Sequence, residues 1–178
     1  MSSSANFPTF VILMKPRSKI EITAPVGSWE SLMAAVQAGA DSVYFGIGKM
    51  NMRSRSSINF TLPDLVKISR ICRKNNISTY LTLNTVIYDH EMKEMRRIVD
   101  SARRNGISTI IASDQSVIQY AVSAGMPVHM STQTNISNLA AVKYYAGFAD
   151  VMVFSVSLST RILLIWSSVI RFLFLDVS

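Results

Sequence analysis

The chain has 178 residues, of which 49% are apolar and 16% are charged, and its formal net charge is +7. This length allows one domain with a sizeable core. The apolar fraction excludes a wholly disordered chain. A single cysteine excludes a disulfide scaffold and, within this chain, a cysteine-rich zinc or iron–sulfur site. One cysteine also points to a reducing compartment, so we expect a cytoplasmic protein. The basic balance favours partners that carry phosphate groups.

The N-terminal segment differs from the rest of the chain. It contains a short apolar run but no Lys or Arg before Lys15, which does not match the pattern of a secretory signal. We therefore expect residues 1–18 to be an N-terminal extension. Translation could start at Met1 or at Met14.

Short apolar runs alternate with helical patterns through the middle of the chain. The runs are continuous and rich in β-branched or aromatic residues, as is typical of buried parallel strands. They lie at Ile20–Ala24, Ser42–Ile47, Ser78–Leu83, Thr109–Ala112, Val128–Met130 and Val151–Phe154. The helical patterns lie at Trp29–Ala38, Leu62–Lys74, Glu91–Arg104, Val117–Ser123 and Leu139–Tyr145. The sequence therefore predicts six strands that alternate with five helices.

This alternation suits either an eightfold (β/α) barrel or a doubly wound open sheet. A dinucleotide-binding sheet would place a Gly-x-Gly-x-x-Gly motif after its first strand. The first strand is instead followed by Pro25-Val-Gly-Ser28, and after the second strand Asn51 stands where a third glycine would fall. We therefore predict an α/β protein with an incomplete TIM-barrel-like (β/α) fold that contains about six of the eight strands.

The residues that follow the predicted strands are unusually polar, and in both architectures functional residues collect there. Arg53 and Arg55 lie in the long loop after the second strand, where they are either solvated charges or a clamp for a carboxylate or phosphate. Asn84 ends the third strand, and Gln133 follows the fifth. We predict that these four residues bind substrate.

Three further residues are candidates for catalysis. Asp114 follows the fourth strand, and His129 and Ser131 lie in and after the fifth. Each also has a structural interpretation, because Asp114 could cap a helix or turn and a mid-strand histidine is more often a hydrogen-bonded core residue than a metal ligand. Ser131 has no general base at a fixed spacing, so a Ser/His/Asp triad is not indicated. No residues have the spacing of a metal site, and none is predicted.

Several motifs resemble a known family. The segments Ile22–Glu30 and Ala38–Gly46 are similar to an A-P-A-G-[ST] turn followed by A-G-A-D-A-V-Y-x-G. Pro127–Gln133, with Asn135 and Asn138 after it, is similar to P-[IV]-H-x-S-x-Q-x-N. Shorter similarities lie at Arg53-Ser-Arg55, Asn59-Phe60, Leu83-Asn84-Thr85 and Ser113-Asp114. Together they resemble the U-32 peptidase family, the collagenase-like proteases, over about three quarters of the chain.

The resemblance implies a barrel-like catalytic domain and the breakdown of peptides, including collagen, although no nucleophile is settled for the family. Other members resemble hydroxylation factors that act on a ribosomal RNA or tRNA base or on the ubiquinone ring. These often carry an iron–sulfur cluster on cysteines further along the chain. Because Cys72 is the only cysteine here, we expect no cofactor in this chain. Peptide and RNA both remain open as substrates. A third alternative is that the chain is a truncated product without catalytic function.

The C-terminal segment departs from the family pattern. After the sixth strand the family continues with a Leu-x-Arg-Glu-Leu-like segment, further strands and the cysteines. Residues 154–178 are instead apolar with neither helical nor strand periodicity, and Arg161 and Arg171 divide them into runs too short to span a membrane. We therefore expect the family domain to occupy residues 19–153. The hypothesis is that residues 154–178 arise from a frame slip or premature end, which leaves a truncated protein that is inactive alone.

Overall fold

The computed structural model describes residues 21–52, 60–154 and 171–174. Within them, seven strands form one parallel sheet in which each strand pairs with its neighbours in the sequence. The strands are β1 (Thr23–Pro25), β2 (Ser42–Gly46), β3 (Ser78–Leu83), β4 (Thr109–Ala112), β5 (Val128–Met130), β6 (Val151–Phe154) and β7 (Arg171–Phe174). The sheet curls into a half-barrel, and the predicted incomplete TIM-barrel-like fold is confirmed.

Five helices connect the first six strands. They are α1 (Trp29–Gln37), α2 (Asp64–Lys74), α3 (Met92–Arg104), α4 (Gln115–Ser123) and α5 (Leu139–Tyr145), with short 3₁₀ turns at Asp89–Glu91 and Thr132–Thr134. Parallel neighbours require a crossover between them, so each helix returns the chain to the start of the next strand. All strand C-termini therefore lie at one edge of the sheet. Among the described residues, no helix has both the length and the apolar character needed to cross a bilayer.

Helix α3 illustrates why the helices pack on the sheet. Met95, Ile98, Val99 and Ala102 recur at helical spacing and are at most 3% exposed, whereas the basic residues between them face solvent. The sheet presents the matching apolar surface through one of its two faces. That face includes Phe45, Leu81, Leu83, Ile110 and Met130. Burial of this layer between helices and sheet is the main favourable contribution to folding.

The other face of the sheet is concave and more polar. The strand register aligns one residue from each of five neighbouring strands in a single row on this face. The row consists of Gly46, Thr82, Ile111, His129 and Val151. Residues two positions further along each strand lie at the edge of the sheet, which brings two of the predicted site residues, Asn84 and Ser131, to the same edge.

The bounds of several elements differ from the sequence predictions, and one strand was not predicted. Helix α2 begins at Asp64, two residues later than predicted. The first strand begins at Thr23, after the predicted start at Ile20, which lies outside the described residues. Helix α4 begins two residues earlier than predicted, because Asp114 accepts a hydrogen bond from the backbone N–H of Ser116 and so caps it. Strand β7 lies where no strand was predicted, because the sequence there has no strand periodicity. Parallel pairing with β6 defines this strand. The predicted extension, residues 1–18, lies outside the described residues.

The loop after β2 folds back over the end of that strand. A Cβ atom at Gly46 would lie 2.2 Å from Cγ of Asn51, so only glycine leaves room for this side chain. Asn51 is fully buried, and its Nδ2 donates hydrogen bonds to the carbonyl oxygens of Ile47 at 3.4 Å and Gly48 at 3.2 Å. The close approach of Asn51 to Gly46 therefore fixes the start of the loop.

We expect Gly46→Ala to lower the free energy of unfolding by about 1–3 kcal/mol, because the added methyl group overlaps the Asn51 side chain. Urea unfolding of the purified chain measures the change. The matched control is Gly147→Ala, where an added Cβ meets its nearest atom, the Tyr144 carbonyl oxygen, at 3.6 Å. In an Asn51→Ala background the effect of Gly46→Ala should shrink. An equal loss in both backgrounds would contradict this explanation.

Candidate functional site

Two of the predicted substrate-binding and catalytic residues meet at the C-terminal edge of the sheet. Asn84, after β3, donates a hydrogen bond from Nδ2 to Oγ of Ser131, after β5, at 3.2 Å. The backbone N–H of Met52 donates to Oδ1 of Asn84 at 3.1 Å. The backbone N–H of Ser131 donates to the carbonyl oxygen of Ala112, the last residue of β4, at 2.8 Å. These bonds join the ends of four successive strands.

Ser131 also begins the 3₁₀ turn that follows β5. Its Oγ accepts a hydrogen bond from the backbone N–H of Gln133 at 3.3 Å, and its carbonyl oxygen accepts one from Oγ1 of Thr134 at 2.6 Å. Ser131 is 3% exposed, whereas the side chain of Gln133 is exposed to solvent. The structure therefore brings Gln133 to the site through its backbone and leaves its side chain on the surface beside the pair.

Asp114 ties two loops together. Its Oδ1 accepts hydrogen bonds from the backbone N–H of Ser116 at 2.8 Å and from the Ser116 hydroxyl at 2.5 Å, and its Oδ2 accepts one from the backbone N–H of Ile87 at 3.1 Å. Partial burial raises the pKa of the Asp114 carboxyl, but these hydrogen bonds outweigh it and hold the pKa below its ordinary value. Asp114 thus stays ionised and acts as the cap of α4.

His129 lies on the concave face, one layer deeper than Ser131. The residue is 7% exposed, and its ring meets the ring of Tyr80 edge-on, with centroids 4.8 Å apart. The Tyr80 hydroxyl in turn donates a hydrogen bond to Oε1 of Glu21. Burial, followed by the hydrogen bond to Glu21 and the charge of that residue, raises the pKa of Tyr80 to about 12. Tyr80 therefore remains a neutral donor beneath His129.

The structure groups only some of the predicted residues. Asn84, Ser131 and the backbone of Gln133 are hydrogen-bonded together, whereas the hydrogen bonds of Asp114 run to Ile87 and Ser116. Within the described part of the chain there is consequently no Ser–His–Asp relay. Arg53 and Arg55, the predicted anion clamp, lie outside the described residues. The roles predicted for all of these residues stay predictions.

Sequence reasoning missed two contributors to this edge. The backbone N–H of Met52 donates a hydrogen bond to Asn84, and Asn51 holds the loop after β2 through its bonds to the Ile47 and Gly48 carbonyl oxygens. The signal for Asn51 was its place five residues after the strand-ending Gly46, because an asparagine can fold back onto nearby carbonyl groups. Nothing in the sequence indicates the Met52 contact, since a backbone donor leaves no residue pattern.

The described residues hold no group of three His, Cys, Asp or Glu side chains that could bind a metal ion. Cys72 is buried in α2, and burial raises the pKa of its thiol to about 11. A buried, protonated and solitary thiol is a poor ligand, because iron–sulfur clusters need several thiolates. The residues of this chain therefore do not fit the cluster that the family resemblance implies.

The model of peptidase family U32 matches residues 27–156. The chain belongs to peptidase family U32. It is 58% identical to a collagenase of Porphyromonas gingivalis over 133 residues, which are 75% of this chain and 32% of that protein. It is 30% identical to tRNA hydroxylation protein P1 of Bacillus subtilis over 137 residues, which are 76% of this chain and 31% of that protein. This U32 protein is thus a collagenase-like homologue that spans about a third of the length of the curated relatives it matches.

A solved structure supports the same fold. The U32 peptidase Mk0906 superposes with a TM-score of 0.65 at 13% identity, and the match covers 83% of this U32 protein and 62% of that chain. At such low identity the likeness concerns the backbone arrangement alone. It agrees with the curled parallel sheet described above.

The low pKa of Asp114 has a consequence for stability. Because the folded-state pKa lies below the ordinary value of 3.8, the carboxylate stabilises the fold above that pH, and the contribution disappears as the pH falls through the lowered value. We expect Asp114→Ala to cost about 1–2 kcal/mol at pH 7. The difference from wild type should shrink below about pH 4 in urea unfolding experiments. Glu94→Ala, at an exposed carboxylate of α3, is the control, and a pH-independent loss for Asp114→Ala would contradict the assignment.

Proposed function

We propose that this U32 protein is a collagenase-like protein that binds a peptide substrate across the C-terminal edge of its sheet. The observation that carries the proposal is the hydrogen-bonded pair Asn84–Ser131, which lies at this edge within the part that matches the collagenase of Porphyromonas gingivalis. Amide and hydroxyl groups complement the N–H and C=O groups of a peptide backbone. Exposed Gln133 stands beside the pair and is a further substrate contact in this proposal.

The remaining predicted residues take supporting roles in the proposal. Arg53 and Arg55 are proposed to hold a carboxylate or phosphate of the substrate through paired N–H donors. Asp114 and His129 are proposed for acid–base work. Peptide binding is the activity that the described residues support best, because they do not place a base against a nucleophile. Peptide-bond hydrolysis is the chemistry of a collagenase. We propose it only for a full-length protein that contains this edge of the sheet.

Binding of a fluorescein-labelled collagen-derived peptide, followed by fluorescence anisotropy, tests the proposal. We expect Asn84→Ala to weaken the affinity about three- to tenfold, because one neutral hydrogen bond contributes about 0.5–1.5 kcal/mol. The matched control is Asn75→Ala, which removes the same side chain at the C-terminal end of α2. The proposal fails if the wild-type chain does not bind the peptide, or if both variants bind equally well.

A second candidate, RNA binding in an RNA-modifying protein, is favoured by one specific feature. Helices α2 and α3 together contain nine of the 18 Lys and Arg residues but three of the 11 Asp and Glu residues. The groove between them, about 470 Å³ in volume, has a strongly basic lining with no acidic side chain. Its charged residues are Arg70, Arg73, Lys74 and Arg104.

The groove lies far from the Asn84–Ser131 pair and is partly preorganised. Arg73 donates from Nη2 to Oγ of Ser69 at 3.3 Å and to the carbonyl oxygen of Asn105, just before β4, at 3.4 Å. This contact lies at the N-terminal end of the sheet. The groove would therefore hold the phosphate backbone of an RNA and not the nucleotide that reacts. The name of the Bacillus subtilis relative, a tRNA hydroxylation protein, supports RNA as this second candidate.

For this second candidate, bulk tRNA is the probe, and its affinity is measured at several salt concentrations. We expect Arg104→Glu to weaken binding about tenfold and to reduce the slope of log K against log salt by about one. Lys143→Glu makes the same charge change at an exposed position of α5 and should have a smaller effect on both quantities. Equal effects of the two variants would indicate attraction by net charge alone and would remove the groove as a binding site.

A further inference from the structure

Both lone pairs of the Ser131 hydroxyl are occupied. A serine hydroxyl has one donor hydrogen and two acceptor sites. Here Oγ accepts one hydrogen bond from Nδ2 of Asn84 at 3.2 Å and a second from the backbone N–H of Gln133 at 3.3 Å. The tetrahedral geometry of the oxygen directs its own hydrogen away from both donors. Ser131 is therefore arranged to donate and not to attack.

The orientation of the Asn84 amide follows from its other partner. Oδ1 accepts a hydrogen bond from the backbone N–H of Met52 at 3.1 Å, and a backbone N–H can only donate. A flipped amide would place two donors against each other, so Nδ2 must face Ser131. Met52 is held in turn by its neighbour Asn51, whose side chain is seated over Gly46. The chain of contacts that sets the Ser131 hydroxyl thus begins in the loop after β2.

We infer that Ser131 is a hydrogen-bond donor to a carbonyl oxygen of the substrate and not a nucleophile, with Asn84 as the positioning residue that directs its proton. The inference rests on the proposed peptide substrate. A nucleophilic serine needs a free lone pair and a base that removes its proton. Among the described residues, Ser131 has no free lone pair and no base beside its hydroxyl, because both hydrogen bonds to Oγ come from donors. Its 3% exposure strengthens a bond to a carbonyl oxygen, because little water competes for the hydroxyl.

Asn84→Asp distinguishes the two roles. An ionised aspartate cannot donate a hydrogen bond. The Ser131 hydroxyl would therefore turn and donate its hydrogen bond to the new carboxylate, away from the substrate. We expect Asn84→Asp to weaken binding of the labelled collagen-derived peptide about three- to tenfold, as Ser131→Ala does. The double variant should show no further loss. A nucleophilic role predicts the opposite outcome, since the carboxylate would act as a base and make Ser131 reactive.

A fluorophosphonate probe followed by peptide mass spectrometry reads out that reactivity. We expect no adduct on Ser131 in the wild type or in Asn84→Asp, and an adduct in either would overturn the inference. The matched control for binding is Ser123→Ala, which removes the same atoms from an exposed position at the end of α4. Equal peptide affinity of the wild type and Ser131→Ala would also overturn the inference.

A measurement without ligand separates this inference from the proposed function. If the wild type does not bind the peptide, the proposed function is wrong, but backbone hydrogen exchange still tests the arrangement around Ser131. We expect the Gln133 amide to exchange slowly in the wild type and several-fold faster in Ser131→Ala. The Met52 amide should likewise exchange faster in Asn84→Ala. Unchanged exchange at Gln133 would mean that Oγ does not accept its N–H, and the inference would fail.

Discussion

The parallel register of the sheet is the constraint on which the remaining structure depends. Each strand pairs with the strand before it in the sequence, so all strand C-termini lie at one edge and all crossover helices on one face. Phe45, Leu81 and Ile110 then face the helices, and the alternate residues face the concave side. Asn84 and Ser131 can meet across β4 only because the registers of the β3–β4 and β4–β5 pairs align the ends of β3 and β5.

A small number of polar contacts converts this edge into a defined site. The absence of a side chain at Gly46 lets Asn51 occupy the end of β2, and the following residue then reaches Asn84. Asp114 performs a similar task on the neighbouring loops, where its ionised carboxylate holds the Ile87 backbone and the first turn of α4. Some polar residues at the strand ends therefore hold loops in place, and others are the ones proposed to present donors to a ligand.

The charge of the chain is arranged separately from this site. Most of the net positive charge lies on α2 and α3, whose basic groove is at the opposite end of the sheet from Ser131. A peptide or nucleotide at the strand ends and a polyanion on the helices would thus contact different surfaces. This separation explains why the basic balance of the sequence alone did not distinguish between peptide and RNA as the ligand.

The sequence by itself determined the alternation of strands and helices, the incomplete barrel and the family, because buried parallel strands are continuous apolar runs and the motifs are local. It also placed Asn84 and Ser131 at strand ends. Only the tertiary structure decided that these two are bonded, that Asp114 holds loops through its hydrogen bonds, and that β7 joins the sheet. Such relations depend on register and on backbone donors such as the Met52 N–H, which residue patterns do not encode.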